Sequence, residues 1–224
     1  MMHHIRPWKL FELVEERDAW DRVVRMKLPL RRITKFADYS LRVLELSALA
    51  AAIRIVKAER IFEFGTFCGN STFHMALASP VGAKIWTLDA DEETLERAGL
   101  AELYKWREDF KLEFEGTPVE KKITRLWGDS RRFDYKPFAK SMDLILIDAD
   151  HSYSMVCNDT QAALSMLTNF GVILWHDYQN HGASGNTYFL DELATSSDLF
   201  HLEDTLLCFQ FADQNMTERL KEMR

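Results

Sequence analysis

Basic residues are too few in this chain to suggest a nucleic-acid partner. The sequence has 28 Lys and Arg against 35 Asp and Glu, and its net charge is −7 at pH 7. Proteins that bind nucleic acids rely on clustered Lys and Arg to neutralise phosphates. The charge balance therefore argues against that class of function.

Long apolar runs and cysteines are also scarce. The longest apolar stretches, such as ALAAAI and LILI, fall far short of the roughly 20 residues that span a bilayer. The N-terminal stretch MMHHIRPWKL has no apolar core typical of a signal peptide. Cys68, Cys157 and Cys208 are odd in number and match no disulfide or zinc spacing, which is typical of reduced thiols in the cytosol. The sequence therefore predicts a cytoplasmic protein.

The chain length of 224 residues is sufficient for one sizeable core, so we expect a single domain. Residues 1–58 are predicted to be helices that form a lid or a dimer contact. Residues 59–212 would form the core, and residues 213–224 a C-terminal helix. Asp38 or Ser40 is the expected N-cap of the last helix before the core.

Strand-like and helix-like stretches alternate from residue 59 onward. This alternation predicts an α/β fold with a doubly wound, mostly parallel sheet of seven strands and helices on both faces. The stretches LFHLED and LLCFQFAD look like a closing pair, which would add an antiparallel edge strand. A long charged helix is expected over EETLERAGLAELYKWREDFKLEFEG.

Polar residues follow every predicted parallel strand, at the edge where open α/β sheets bind their ligands. Gly65 and Gly69 form an E-x-G-x-x-x-G turn, which differs from the dinucleotide fingerprint G-x-G-x-x-G. Its spacing permits close approach of a ligand that need not carry phosphates. Asp89, after the next strand, is placed to accept hydrogen bonds from both ribose hydroxyls. Together these residues indicate a nucleoside-bearing cofactor; the alternative is a tight turn without a ligand.

The stretch FEFGTFCGNSTFHMA resembles motif I of class I S-adenosylmethionine (SAM)-dependent methyltransferases, especially the catechol O-methyltransferase type. The stretch from DLILIDADHSY to ILWHDY is similar to the macrocin O-methyltransferase-like group, methyltransferase family 24, which is related to cephalosporin hydroxylase. The resemblance covers roughly residues 40–212 and implies a Rossmann-like fold and O-methylation of a small molecule, such as a sugar or secondary metabolite. The cofactor-binding residues that it implies are Glu63, Gly65, Thr66, Phe67, Gly69, Ser71, Asp89, Asp129, Ser130 and Asp148.

The resemblance also assigns roles to these residues. The glycine turn would line the methionine and ribose of SAM, Ser71 would contact its carboxylate, and Glu63 would brace the turn or reach its amino group through water. Asp129 and Ser130 would lie beside the adenine. Asp148 would lie beside the sulfonium.

Metal-dependent O-methyltransferases place one carboxylate after strand four and two adjacent ligands after strand five. Asp148, His176 and Asp177 match that order, which implies a divalent metal, Mg²⁺ or Mn²⁺. His176 stands where an acidic residue is usual, and imidazole suits Mn, Fe or Zn better than Mg²⁺. The alternative is a hydrogen-bonded His176–Asp177 pair without a metal.

His151 lies three residues beyond Asp148, where the catechol-type enzymes carry a lysine base. We expect His151 and Asp148 to be catalytic, with His151 taking the proton of the acceptor hydroxyl. The alternative is that His151 only helps to start the following helix. Two other functions remain open for the whole chain: a hydroxylase-like reaction, and a non-catalytic cofactor-binding protein. Its partners would be a small-molecule acceptor and a second copy in a homo-oligomer.

Overall fold

The computed structural model describes residues 1–13, 40–100, 102, 111–182 and 184–222. Eight strands form one sheet in the order β1-β7-β8-β6-β5-β2-β3-β4. The strands are β1 (Met2–Ile5), β2 (Arg60–Phe64), β3 (Lys84–Asp89), β4 (Ile123–Trp127), β5 (Met142–Ile147), β6 (Leu167–Trp175), β7 (Leu199–Leu202) and β8 (Cys208–Phe211). The helices are α1 (Pro7–Glu12), α2 (Val43–Ile55), α3 (Asn70–Ala78), α4 (Glu92–Arg97), α5 (Tyr153–Met166), α6 (Ser184–Leu193) and α7 (Gln214–Glu222).

The sheet confirms the predicted topology class. Strands β2 to β6 pair in parallel, and β8 runs antiparallel to both β6 and β7. The chain order reverses between β2 and β5. Strands β3 and β4 extend the sheet on one side of β2, whereas β5 and β6 extend it on the other side. Such a switch point opens a crevice beyond the carboxyl ends of the two strands, which is where α/β proteins bind ligands.

Successive residues of the central strands face opposite sides of the sheet, as the two-residue period of a strand requires. Leu144 and Leu146 pack into one core with α1, α2 and α3, while Ile145 and Ile147 pack into the other with α5 and α6. All four are almost fully buried, and each such side chain contributes about 1.5–3 kcal/mol. Helices on both faces therefore follow from the unbroken apolar run in LILI.

The described residues contain one strand more than predicted. Met2–Ile5 pairs in parallel with β7 along the edge of the sheet, although the N-terminal region was expected to be helical. His3 lies on this strand, is buried, and places its Nε2 2.8 Å from Asp198 Oδ1. Four residues with two histidines carry little strand signal, and their partner lies almost 200 positions further along the chain.

Two helix predictions also need correction. The long charged helix predicted over residues 92–116 differs in its described parts: α4 ends at Arg97, Gly99 has φ +74°, and residues 113–116 form turns. Residues 101 and 103–110 of this prediction lie outside the described residues. The N-cap of α2 is Arg42, since the helix begins at Val43; Asp38 lies outside the described residues. Among the described residues, no helix is both long and apolar enough to cross a membrane.

Candidate active site

The strand register brings the predicted site residues into one row. Phe64 lies opposite both Leu88 and Ile147, and Ile147 lies opposite Trp175. The residues that follow these strands therefore emerge side by side at the carboxyl edge. They are Gly65 after β2, Asp148 after β5 and His176 after β6, with Asp89 as the last residue of β3.

The turn after β2 is held against the end of β5. Gly65 has φ +90°, and a Cβ at this position would lie 2.1 Å from the backbone oxygen of Asp148. Gly69 has φ +77° and is the N-cap of α3, and a Cβ there would meet the Phe114 ring at 2.7 Å. Only glycine fits both conformation and space at these two positions. Phe67 also has a positive φ, of 45°, so positive φ angles recur at alternate positions along the turn.

Glu63 braces this turn from below. Its carboxylate is completely buried and accepts hydrogen bonds from the hydroxyls of Ser71 and Thr72 in the first turn of α3. Burial raises the pKa of Glu63 to about 7, against the opposing effect of these hydrogen bonds. Of the two roles expected for Glu63, the structure contains the bracing contact. The hydroxyl of Ser71 donates its hydrogen bond to Glu63, so this hydroxyl is available to a ligand only as a hydrogen-bond acceptor.

The neighbouring strand ends supply further acidic groups. Asp89 is 8% exposed, and its Oδ1 accepts a hydrogen bond from the Ala90 amide. Asp129 makes a two-point ion pair with Arg131, whose hydrogen bond and charge lower the pKa of Asp129. The backbone oxygen of Ser130 accepts a hydrogen bond from Tyr135. Asp129 therefore faces Arg131, a partner that the sequence did not indicate. The Asp89 carboxylate lies at the end of β3, in the row of residues along the carboxyl edge of the sheet.

Asp148, His176 and Asp177 form a compact cluster. His176 Nδ1 lies 3.3 Å from Asp148 Oδ1 and 3.3 Å from Asp177 Oδ2. One potential ligand atom from each residue lies within 4.8 Å of the others. Burial alone would lower the pKa of His176, but the surrounding carboxylates, Asp148 above all, raise it to about 12. Burial likewise would raise the pKa of Asp177, yet His176 and Asn180 hold it at about 2.

The backbone at Asp177 is held in an uncommon conformation. Its φ is +62°, in the left-handed region that non-glycine residues rarely adopt. Asn180 donates to Asp177 Oδ1 at 2.6 Å, and Asn186 donates to the backbone oxygen of His176 at 2.9 Å. Backbone strain of this kind concentrates at functional sites. The segment after β6 thus fixes the directions of both side chains.

The same segment leads directly into α6, which begins at Ser184. Gly185 packs tightly on the start of α5, where a Cβ would lie 2.3 Å from the His151 oxygen.

His151 lies beside the cluster. Its Nε2 is 3.4 Å from Asp177 Oδ2, and its side chain is 40% exposed. The alternative role of His151, helping to start α5, falls to other residues in the structure. Ser152 is the N-cap, and its amide donates a hydrogen bond to Asp150 Oδ1. The ring of His151 is therefore directed to Asp177 and is partly open to solvent.

Glu45 was missed by sequence reasoning. It lies on α2, is 1% exposed, and places its Oε2 3.4 Å from His176 Nε2. In the sequence it is one acidic residue in the apolar stretch VLELSALAAAI, about 130 positions before His176. The only available signal was a charged side chain on an otherwise apolar helix, and that pattern is compatible with many structural roles.

Two other polar residues near the turn have structural roles. Cys68 is buried, and burial raises the pKa of its thiol, so it is a poor nucleophile. His74 places its Nδ1 2.8 Å from the Asn70 oxygen within α3. Both residues therefore belong to the packing around the turn.

The donor atoms in the cluster suit a divalent transition metal. One imidazole nitrogen and two carboxylates converge, and both carboxylates already face the same nitrogen. Carboxylate oxygens suit Mg²⁺, Ca²⁺ or Mn²⁺, whereas imidazole suits Fe, Ni, Cu or Zn. The residues present therefore fit a metal ion, and they fit a transition metal better than Mg²⁺.

The fold and the site together define a Rossmann-like α/β protein with a glycine turn, acidic strand ends and a cluster of one histidine and two carboxylates along one sheet edge. A family model described as a methyltransferase domain matches residues 62–178, more than half of the chain. The chain belongs to this methyltransferase family, which confirms the resemblance in its sequence.

Individual relatives are more distant. The chain is 26% identical to caffeoyl-CoA O-methyltransferase of Zinnia elegans over 75% of its own length and 66% of that protein. It is 27% identical to caffeoyl-CoA O-methyltransferase 1 of Nicotiana tabacum over 63% of its length and 57% of that protein. It thus spans between about half and two thirds of these relatives.

Solved structures share the fold. The O-methyltransferase TomG of Streptomyces achromogenes, solved with SAM, superposes with a TM-score of 0.54 at 17% identity, covering 92% of this chain and 89% of TomG. An O-methyltransferase of Bacillus cereus, solved with SAH, gives a TM-score of 0.53 at 16% identity, covering 90% and 93%.

Proposed function

We propose that this chain transfers the methyl group of SAM to a hydroxyl oxygen of a small molecule, at a site that also holds a divalent metal. The observation that carries the proposal is the double contact of Asp148. Its backbone is packed against Gly65 of the cofactor turn, and its carboxylate lies 3.3 Å from His176 in the metal-ligand cluster. A methyl donor in the turn and an acceptor at the cluster would therefore be neighbours.

The cofactor half of the site rests on the turn and the strand ends. Gly65, Thr66, Phe67 and Gly69 would approach SAM with their backbone, while Glu63 and Ser71 keep the turn in place. Asp89, at the end of β3, would accept hydrogen bonds from the ribose hydroxyls. Asp129 and Ser130 would lie beside the adenine, with Arg131 keeping Asp129 ionised. The SAM and SAH found in the two solved structures support this assignment.

The acceptor half of the site would hold the metal with Asp148, His176 and Asp177. A divalent metal bound there would orient the acceptor hydroxyl and lower its pKa. His151 lies 3.4 Å from Asp177 and would take up the hydroxyl proton, because the carboxylate stabilises the resulting imidazolium. As the acceptor oxygen forms its bond to the methyl carbon, the carbon–sulfur bond breaks and its electron pair remains on sulfur, giving SAH.

The acceptor belongs to the class of small hydroxylated molecules. The names of the curated relatives point to phenols, and the macrocin-type resemblance points to sugars. Both classes of compound are therefore candidate acceptors.

The test is an SAH-release assay on metal-free protein with a panel of catechols, phenols and sugars. We expect the rate of SAH release to be highest with Mn²⁺, lower with Mg²⁺ and lowest with EDTA. The product should be one methyl group heavier than the acceptor. Asp143→Asn is the matched control. Asp143 lies at the end of β5 away from the site, where its carboxylate accepts hydrogen bonds from two backbone amides. Failure to bind SAM would refute the proposal. SAM binding without turnover on any acceptor would favour the non-catalytic alternative.

A further inference from the structure

We propose that Glu45 is a positioning residue that orients His176 for metal binding. In this arrangement the carboxylate lies beside Nε2 of the ring, so that Nδ1 is presented, between Asp148 and Asp177, to a transition-metal ion. The inference rests on the proposed metal site and adds a residue that lies outside the segment matched by the family model, which begins at residue 62.

The two ring nitrogens of His176 face different partners. Nδ1 faces Asp148 and Asp177, each at 3.3 Å, whereas Nε2 faces Glu45 Oε2 at 3.4 Å. A histidine that binds a metal does so through one nitrogen and commonly donates the N–H of the other to a carboxylate. His176 has that carboxylate on the side away from the cluster. Glu45 thus selects Nδ1 as the metal-binding nitrogen.

Glu45 is itself rigidly placed. Its Oε2 accepts from the Arg42 amide at 2.6 Å, and its Oε1 accepts from the Leu206 amide at 2.9 Å. These two donors belong to the start of α2 and to the connection between β7 and β8. The carboxylate therefore links three elements of the fold behind the ring, and its position does not depend on a metal.

Capping of α2 alone does not account for this arrangement. A cap requires only the contact with the Arg42 amide, which an exposed glutamate can also make. Here the carboxylate is 1% exposed and reaches two further groups, His176 and Leu206. Burying a carboxylate is costly unless charged or hydrogen-bonding partners compensate. The two backbone amides and the neighbouring Nε2 of His176 supply that compensation.

The experiment is a double-mutant cycle on Mn²⁺ affinity, measured by calorimetry on metal-free full-length protein. The variants are Glu45→Gln, His176→Asn and the double variant. His176→Asn retains an oxygen ligand but lacks the ring nitrogen that faces Glu45. Loss of a partner of a metal-binding histidine typically weakens metal affinity by about 10- to 100-fold. We expect a loss of at least about 10-fold from Glu45→Gln in the wild-type background and less than about 2-fold in the His176→Asn background.

Asp143→Asn serves as the control, because it too removes a carboxylate that accepts hydrogen bonds from two backbone amides. It should leave Mn²⁺ affinity unchanged. Thermal denaturation in EDTA separates a stability defect from a metal-binding defect. If Glu45→Gln does not fold, Glu45→Asp keeps the charge but withdraws it from the ring, and it should show the same loss of affinity.

Several outcomes would overturn the inference. Unchanged Mn²⁺ affinity in Glu45→Gln would do so, as would equal losses in both backgrounds, because a purely structural role does not depend on the ring. Wild-type protein that binds no Mn²⁺ would also overturn it. In that last case, SAH release in the presence of EDTA shows separately whether methyl transfer itself stands.

Discussion

Replacing Gly65 by alanine is the sharpest test of the contact between the cofactor turn and Asp148. The added Cβ would lie 2.1 Å from the Asp148 oxygen, while non-bonded contacts of a Cβ essentially never fall below 3.0 Å. The turn or the end of β5 must therefore move by about 1 Å. Gly65 also has φ +90°, which alanine adopts only at an energetic cost.

The two costs can be estimated separately. A left-handed conformation costs a non-glycine residue about 1–2 kcal/mol, and overpacking in a well-packed region costs about 1–3 kcal/mol. We therefore expect Gly65→Ala to lower the free energy of unfolding by about 2–5 kcal/mol. Gly99 has φ +74° but nothing within 4 Å of an added Cβ, so Gly99→Ala should cost only about 1–2 kcal/mol.

Urea denaturation gives the stabilities, and calorimetry gives the affinities for SAH and Mn²⁺. Gly82→Ala, which meets no atom within 4 Å, should remain within about 0.5 kcal/mol of wild type. Because Asp148 contributes to both halves of the site, Gly65→Ala should weaken SAH and Mn²⁺ binding together, and Gly99→Ala should weaken neither. Equal stabilities and affinities for these two variants would refute the reasoning.

Three further predictions concern single side chains. Asp89→Ala should weaken SAH binding by at least about 10-fold, through loss of charged hydrogen bonds to the ligand, as measured by calorimetry; Asp91→Ala, which removes only the N-cap of α4, should not. His151→Asn should slow methyl transfer by about 10²- to 10⁴-fold in the SAH-release assay without changing SAH affinity; an unchanged rate would exclude a base role. Glu63 has a pKa of about 7 against 4.5 for an ordinary glutamate, so native protein retains a proton that unfolded protein releases between these values, and stability should fall as pH rises from 4.5 to 7. Glu63→Gln should reduce that fall by up to about 3 kcal/mol in urea denaturation; an identical pH dependence in both proteins would contradict it.

The parts of the site that were predictable lie at strand ends. Asp89, Asp148 and His176 follow or end apolar strands, and parallel topology alone aligns such positions along one edge of the sheet. Gly65 was predictable for a similar reason, since a glycine directly after a strand indicates a sharp turn. The close approach of Asp148 that makes glycine necessary there was not visible in the sequence.

The parts that were missed depend on contacts between distant segments. Glu45 reaches His176 across the interface of α2 with the sheet edge, and no periodicity encodes that meeting. Met2–Ile5 becomes a strand only because β7 offers it a free edge. Tertiary contacts override local patterns in each case.

Calorimetric titration of the wild-type protein with SAM and SAH, with and without Mn²⁺, tests the central claim most directly. The account predicts one site per chain, micromolar affinity for both compounds, and separate binding of Mn²⁺. Absence of binding of either compound under every metal condition would contradict it, and would leave a methyltransferase fold without the cofactor of its family.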